Sequence, residues 1–319
     1  MKKILLLILL LSSSWAYSET IVSGILSGEI VWISEESPYV IDEEVIIDLN
    51  STLIIEPGVQ ILSKGEYWSS IKLGDGASLF CIGSEDHNIF LEYIEIFPLM
   101  TIIENENDYD YDYDYDYSIP GNVVIENTSL YHSVLYFLQM TIIDNLFEES
   151  TLAPLECSII EKNIFLDSSI EVTSGIAQIK NNLFMNPGGW PKTAYSCIEP
   201  FIQIVAADDN QPIIIKNTFF LTSTLFSTYA FETLDFRFGA EPNLVPDGTT
   251  FDISNNFWMT RNGRLQEEEI PDFLQECSSV MQLEYLPALD APDSETPISR
   301  VVSNVLEYFQ KKEQKYNKK

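Results

Sequence analysis

Apolar and polar positions alternate along the first part of this chain in short runs, and the runs are separated by turn residues. Val45-Ile46-Ile47-Asp48-Leu49, Leu53-Ile54-Ile55, Val59-Gln60-Ile61-Leu62 and Ser78-Leu79-Phe80-Cys81-Ile82 predict strands. Glu56-Pro57-Gly58 predicts a turn, because proline presets one turn dihedral and glycine takes a positive one; Gly74-Asp75-Gly76 predicts another. Between residues 19 and 96 no window keeps the 3.6-residue period that a helix needs.

From residue 125 the pattern becomes periodic. An isoleucine and then an asparagine precede an aromatic or aliphatic residue in Ile125-Glu126-Asn127, Ile143-Asp144-Asn145-Leu146-Phe147, Ile160-Glu161-Lys162-Asn163-Ile164-Phe165, Ile179-Lys180-Asn181-Asn182-Leu183-Phe184, Ile215-Lys216-Asn217-Thr218-Phe219 and Ile253-Ser254-Asn255-Asn256-Phe257. Aligned on the asparagines at 127, 145, 163, 181, 217 and 255, the gaps are 18, 18, 18, 36 and 38. A period near 20 built from strand-forming segments predicts a solenoid whose coils bury their apolar faces against one another. Equivalent residues of stacked coils would lie about 4.8 Å apart. An inward asparagine at a tight turn can then bond the amides above and below it while tolerating a left-handed backbone. The asparagine column is thus expected to hold the fold together, with the following Leu or Phe stacked in the interior.

Three kinds of segment break the pattern, the first being the two long gaps. The gap from Asn181 to Asn217 contains Asn186-Pro187-Gly188-Gly189-Trp190-Pro191, a breaker cluster, and the gap to Asn255 contains Phe236 to Pro242 and Pro246-Asp247-Gly248. Each gap is either two coils or one coil with a protruding loop, and the loop is favoured in the first. The second segment is Asp108 to Tyr117, five consecutive Asp-Tyr pairs. As a strand it would place every carboxylate on one face and every phenol on the other. It reads as a low-complexity insertion in a surface loop, extended by its own charge. Its alternatives are weak calcium binding by Asp108, Asp110, Asp112, Asp114 and Asp116, or a tyrosine-lined contact. The third segment is 299–311, where Val301, Val302, Val305, Leu306 and Phe309 have helical spacing ahead of a lysine-rich stretch; it is expected to cover the last open coil.

Composition places the chain in a compartment. Lys2-Lys3, the apolar run Ile4 to Leu11 and Ala16-Tyr17-Ser18 form a secretory signal with cleavage expected after Ser18, and the run is too short to span a bilayer. The mature chain would carry 15 Lys and Arg against 49 Asp and Glu. This disfavours nucleic acid and anionic membrane as partners and repels acidic polysaccharides unless cations intervene. Cys81, Cys157, Cys197 and Cys277 lack zinc-site spacing. Export permits a disulfide, for which Cys157 with Cys197 is the candidate; four buried free thiols are the alternative.

Gly28-Glu29-Ile30-Val31-Trp32, Pro38-Tyr39-Val40-Ile41, Ser51 to Val59 and Gly76-Ala77-Ser78-Leu79 resemble the amino-terminal cap and first coils of secreted bacterial right-handed parallel β-helix repeat proteins of the pectin-lyase-like fold. Asn255-Asn256-Phe257-Trp258, followed by Leu283-Glu284-Tyr285-Leu286-Pro287-Ala288-Leu289, is similar to that family's closing coil. The resemblance covers roughly residues 24 to 292. It implies an all-β, right-handed parallel β-helix with an N-terminal cap, here followed by a short C-terminal helix. The expected organisation is a signal peptide (1–18), cap and first coils (19–96), an acidic Asp-Tyr insertion (97–121), β-helix coils and closing cap (122–292) and a C-terminal helix with basic tail (293–319).

The fold hosts both enzymes and non-enzymes. Lyases of this group use a cationic base beside calcium-binding carboxylates, yet the arginines here, Arg237, Arg261, Arg264 and Arg300, all fall late in the chain. The hydrolases need positioned aspartates, and the one adjacent pair outside the Asp-Tyr run, Asp208-Asp209, reads as a turn. The Gly-His-Gly and Arg-Ile-Lys motifs of the hydrolases are absent, and His87 and His132 stand alone in the sequence. The expectation is an exported, non-catalytic recognition or structural module at the cell surface, outside the cell or in a periplasm. It is expected to need no cofactor, unless calcium binds, and to meet a polysaccharide or a cell-surface protein. Trp190, Trp68, Tyr67, Tyr111 and Tyr113 are the candidate ligand-binding aromatics. The alternative is a polysaccharide lyase or glycoside hydrolase with a divergent active site.

Overall fold

The computed structural model describes residues 19–65, 68–103, 114–154, 158–172, 177–186, 202–205, 212–221, 231–234, 249–260, 263–275 and 281–298. The chain winds through three sheets in turn. Met140–Ile143 lies in the first, Leu146–Glu148 in the second and Thr151–Pro154 in the third; the chain then returns to the first as Ile159–Glu161, parallel to Met140–Ile143 and one layer on. The first sheet holds eight strands in sequence, from Glu29–Trp32 to Ile213–Ile215. Parallel pairing of the same kind runs through the other two. The protein is a parallel β-helix. Thr20–Leu26 and Tyr39–Ile47 each cross from the second sheet to the third in one bent strand, the bend falling at Gly24 (φ 81°) and Glu43 (φ 76°).

Alternation decides which residues fill the tube. In the first sheet Ile125, Ile142, Ile160, Ile179 and Ile214 stand in register on the inner face, all buried. In the second, Phe147, Phe165, Phe184, Phe219 and Trp258 form a continuous stack with centroids 4.7, 4.8, 5.0 and 4.7 Å apart. Those spacings match the coil rise of about 4.8 Å, so each ring packs flat on the next without disturbing the backbone. Each buried phenylalanine contributes about 1.5–3 kcal/mol.

The asparagine repeat separates into two columns at the corner between the first and second sheets. Asn127, Asp144, Lys162, Asn181, Lys216 and Asn255 hold the left-handed conformation, with φ from 47° to 60°. The residue after each points inward: Thr128, then Asn145, Asn163, Asn182, Asn217 and Asn256, all buried. Asn163 Oδ1 accepts from Asn145 N (2.9 Å) and Asn145 Nδ2 (3.0 Å), while Asn163 Nδ2 donates to Ile142 O (2.9 Å) and Asn182 Oδ1 (3.0 Å). The same bonds recur from Asn182 to Asn217 and from Asn217 to Asn256. The alignment on 127, 181 and 255 therefore mixed the corner residue with the ladder residue, because both positions accept asparagine for different reasons. The Phe stack follows the ladder by two residues, and the residue between, such as Leu146 or Ile164, faces outward.

Direct bonding of Asn182 to Asn217 and of Asn217 to Asn256 makes each long gap a single coil. The extra residues of the first gap, 187–201, fall between strands of the second and third sheets and lie outside the described residues. The Asp-Tyr insertion interrupts the tube after Ile94–Pro98. Its last two pairs form the strand Asp114–Tyr117, antiparallel to Met100–Ile103 in a two-stranded ribbon of its own.

At the far end Gly263–Arg264 folds back antiparallel on Phe257–Thr260, and Leu265 and Ile270 are buried within the main core, closing the tube. The predicted helix at 299–311 lies outside the described residues. No helix among them is long and apolar enough to cross a membrane.

Candidate functional site

The corner between the second and third sheets is built like the first, with different residues. Its inward column is serine: Ser133 N donates to Ser150 Oγ (3.0 Å) and Ser150 N to Ser168 Oγ (3.0 Å). Its left-handed column, one residue earlier, is Tyr93, His132, Glu149 and Asp167, with φ of 56°, 46°, 50° and 47°. Glycine accepts this conformation at least cost and asparagine, aspartate and histidine are enriched in it, while a left-handed backbone costs other residues roughly 1–2 kcal/mol. Tyrosine at Tyr93 is not what the corner alone would select, whereas histidine at His132 is among the residues that tolerate it.

Those side chains meet on the surface. Trp68, 43% exposed, sits edge-on to Tyr93 with centroids 6.0 Å apart. Tyr93 stacks on His132 at 4.9 Å with the planes 6° apart, and Tyr131 packs edge-on against both rings. His132 Nε2 lies 3.0 Å from Glu149 Oε2, so the carboxylate fixes one ring nitrogen and the ring orientation. Trp68, Tyr93, His132 and Glu149 belong to four successive coils, a strip about 14 Å long at about 4.8 Å per coil. Carboxylates border it: Glu92 and Glu148 stand in register on either side of Tyr131, and Glu95 follows Tyr93 on the third sheet. Burial raises the Glu95 carboxyl above its ordinary range, partly countered by the charge of Lys72. An aromatic strip edged with acceptors offers flat apolar faces and hydrogen-bond acceptors together.

Comparison of the chain with protein-family models, with curated proteins and with solved structures found no match.

Of the aromatics singled out in the sequence, Trp68 opens this strip. Tyr67, Trp190, Tyr111 and Tyr113 lie outside the described residues, as do Asp108, Asp110, Asp112, Cys157 and Cys197. Asp114 and Asp116 are on the ribbon strand, paired with Ile103 and Thr101. Among the described residues no three His, Cys, Asp or Glu side chains converge on a metal position. Cys81 is a free thiol buried in the inner face of the first sheet, and desolvation pushes its ionisation far upward, which makes it inert. Asp208, Asp209 and Arg237 are outside the described residues, while Arg264 pairs with Asp290 at 2.8 Å.

Sequence reasoning missed Tyr93, Tyr131, His132 and Glu149. The signal was a second repeat in Leu91-Glu92-Tyr93-Ile94, Leu130-Tyr131-His132-Ser133 and Phe147-Glu148-Glu149-Ser150, hidden because its inward residue is isoleucine in the first and a common serine in the other two. His132, isolated in sequence, is brought onto Tyr93 by the 39-residue coil that contains the ribbon.

Proposed function

We propose that this chain is an exported, non-catalytic recognition protein of the pectin-lyase-like β-helix group, and that it binds a glycan along the Trp68–Tyr93–His132 strip. The observation that carries this reading is the aromatic column at a corner where the backbone favours asparagine or glycine. Aromatic faces pack against the C–H faces of sugar rings, and the bordering carboxylates accept from hydroxyl groups. The surrounding Glu92, Glu95, Glu148 and Glu149, together with a formal net charge of −32 for the chain, favour neutral or amino sugars over uronates. The signal sequence and export remain part of the same proposal.

The test is binding of the mature protein from Glu19 to a panel of neutral, amino and acidic polysaccharides, with a product assay run alongside. Binding to a neutral or amino glycan should fall by about tenfold or more in Trp68→Ala and Tyr93→Ala, as expected when one stacked aromatic contact is lost. Binding unaffected by either substitution, no binding on the panel, or release of sugar products would each overturn the reading.

A further inference from the structure

Over its later coils, beyond Glu148, the outer face of the second sheet is apolar where an outer face is normally polar. Leu146, Ile164 and Leu183 form one outward column and Leu166, Met185 and Phe220 the next. Leu166, Leu183 and Met185 are nonetheless only 4–6% exposed, and Thr218, outward in register with Leu183, is buried with its hydroxyl unpartnered. A sheet of this kind needs a cover. Among the described residues the part of the cover that can be named is Ile298, packed against this cluster.

The route to Ile298 is well anchored. After the last coil the chain turns back along the first corner, where Asp293 pairs with Lys216 (3.4 Å) and Glu295 with Lys162 (3.1 Å). Glu295 also accepts from Asn181, and Thr296 Oγ1 donates to Lys216 O (3.2 Å). The chain is therefore delivered to the edge of the apolar face at the point where the helical pattern of 299–311 begins. That pattern places Val302, Val305, Leu306 and Phe309 on one stripe. A helix of 13 residues is about 20 Å long, while the columns from Leu146 to Phe220 span three coil steps, about 14 Å.

We infer that residues 299–311 dock as an amphipathic helix on the outer face of the second sheet, with Val302, Val305, Leu306 and Phe309 against Leu166, Leu183, Met185 and Phe220. The segment is a strap along the side of the tube, and the tube's end is closed separately by Leu265 and Ile270. An uncovered face of this size would invite association between copies, which the strap prevents.

Met185 supplies a local reporter, since a covered thioether resists peroxide and an uncovered one forms the sulfoxide. The experiment compares the full chain with a Val305→Asp/Phe309→Asp double variant, with Asn304→Asp, which lies on the opposite side of the stripe, and with a chain ending at Ile298. Oxidation of Met185, mapped by mass spectrometry, should quicken roughly tenfold or more in the double variant and the shortened chain. Asn304→Asp should match the parent. The double variant should also melt at least about 4 °C lower. Unchanged Met185 oxidation in both the double variant and the shortened chain would overturn the inference, and so would an equal effect of Asn304→Asp.

Discussion

Replacing Asn163 by leucine tests the corner ladder where it is most complete. The substitution keeps the branched skeleton, with two methyl groups in place of the amide oxygen and nitrogen, and removes four bonds: those accepted from Asn145 N (2.9 Å) and Asn145 Nδ2 (3.0 Å), and those donated to Ile142 O (2.9 Å) and Asn182 Oδ1 (3.0 Å). Asn182 Oδ1 keeps its bond from Asn163 N, and Asn145 Nδ2 keeps its bond to Ile125 O. The Asn145 amide and the second Asn145 Nδ2 proton are left with no acceptor in a dry interior. Each such orphaned donor costs about 1–3 kcal/mol, giving roughly 2–6 kcal/mol before an offset of about 1 kcal/mol from the added apolar atoms. Asn127→Ala changes a left-handed corner residue whose side chain makes a single long bond, to Glu126 Oε1 (3.4 Å), and should cost about 1–2 kcal/mol, while Asn127→Gly should be near neutral. The assay is urea unfolding with the slope held constant, supported by hydrogen exchange, in which added opening should centre on the coils of Asn145 and Asn182. An Asn163→Leu loss under about 1 kcal/mol, or one equal to that of Asn127→Ala, would refute the assignment of the ladder as the principal hydrogen-bonded spine.

Phe165→Ala removes the ring between Phe147 and Phe184 and should cost about 3–5 kcal/mol in the same urea titration. Gly83→Ala should destabilise by about 1–3 kcal/mol, because a Cβ there would lie 2.2 Å from the Asn127 carbonyl oxygen, a backbone atom that cannot swing aside. Cys81 should react with a thiol reagent only as fast as the protein unfolds, since the thiol is buried and held un-ionised; peptide mapping of the labelled site checks this. Glu95 binds its proton more readily in the fold than in the open chain, so its contribution is fully present below the ordinary glutamate range and is lost as pH rises through the raised value. Glu95→Gln should remove that part of the pH dependence, as read from melting temperatures between pH 4 and pH 7.

The tube was legible because its rules are local and repeat. Ile142, Asn163 and Phe165 must each match the coil above and the coil below, so the same residue type returns at the same spacing and the period stands out. The strand at Ser78–Ile82 and the turn at Glu56-Pro57-Gly58 were readable for a simpler reason. Alternation and turn chemistry are written into adjacent residues; the turn shows its glycine at φ 84° and Val59 N bonded to Glu56 O. The aromatic strip obeys no such rule. Tyr93 and His132 are 39 positions apart in sequence and 4.9 Å apart in space, and the intervening coil carries the Asp-Tyr ribbon, which spoils the count. The burial of Leu166 and Met185 was equally unreadable, since an outward apolar residue looks in sequence like any other member of a strand.

The two corners together show how one column can vary while its neighbour holds the fold in a repeat of this kind. Both need a left-handed residue followed by an inward hydrogen-bonding side chain, and the inward columns, asparagine in one and serine in the other, answer that need alone. The left-handed position is free to vary so long as its backbone cost is met. At the first corner it is filled by Asn, Asp and Lys, and where the chain returns along that corner its lysines hold Asp293 and Glu295. At the second it is filled by Tyr93, His132, Glu149 and Asp167, and the first three carry bulky groups that pack on one another, on Trp68 and on Tyr131. A stack of coils turns such a column into a straight strip with fixed spacing. The proposed glycan binding gives the strip its role as a surface, since asparagine or glycine would meet the backbone demand of the corner at lower cost.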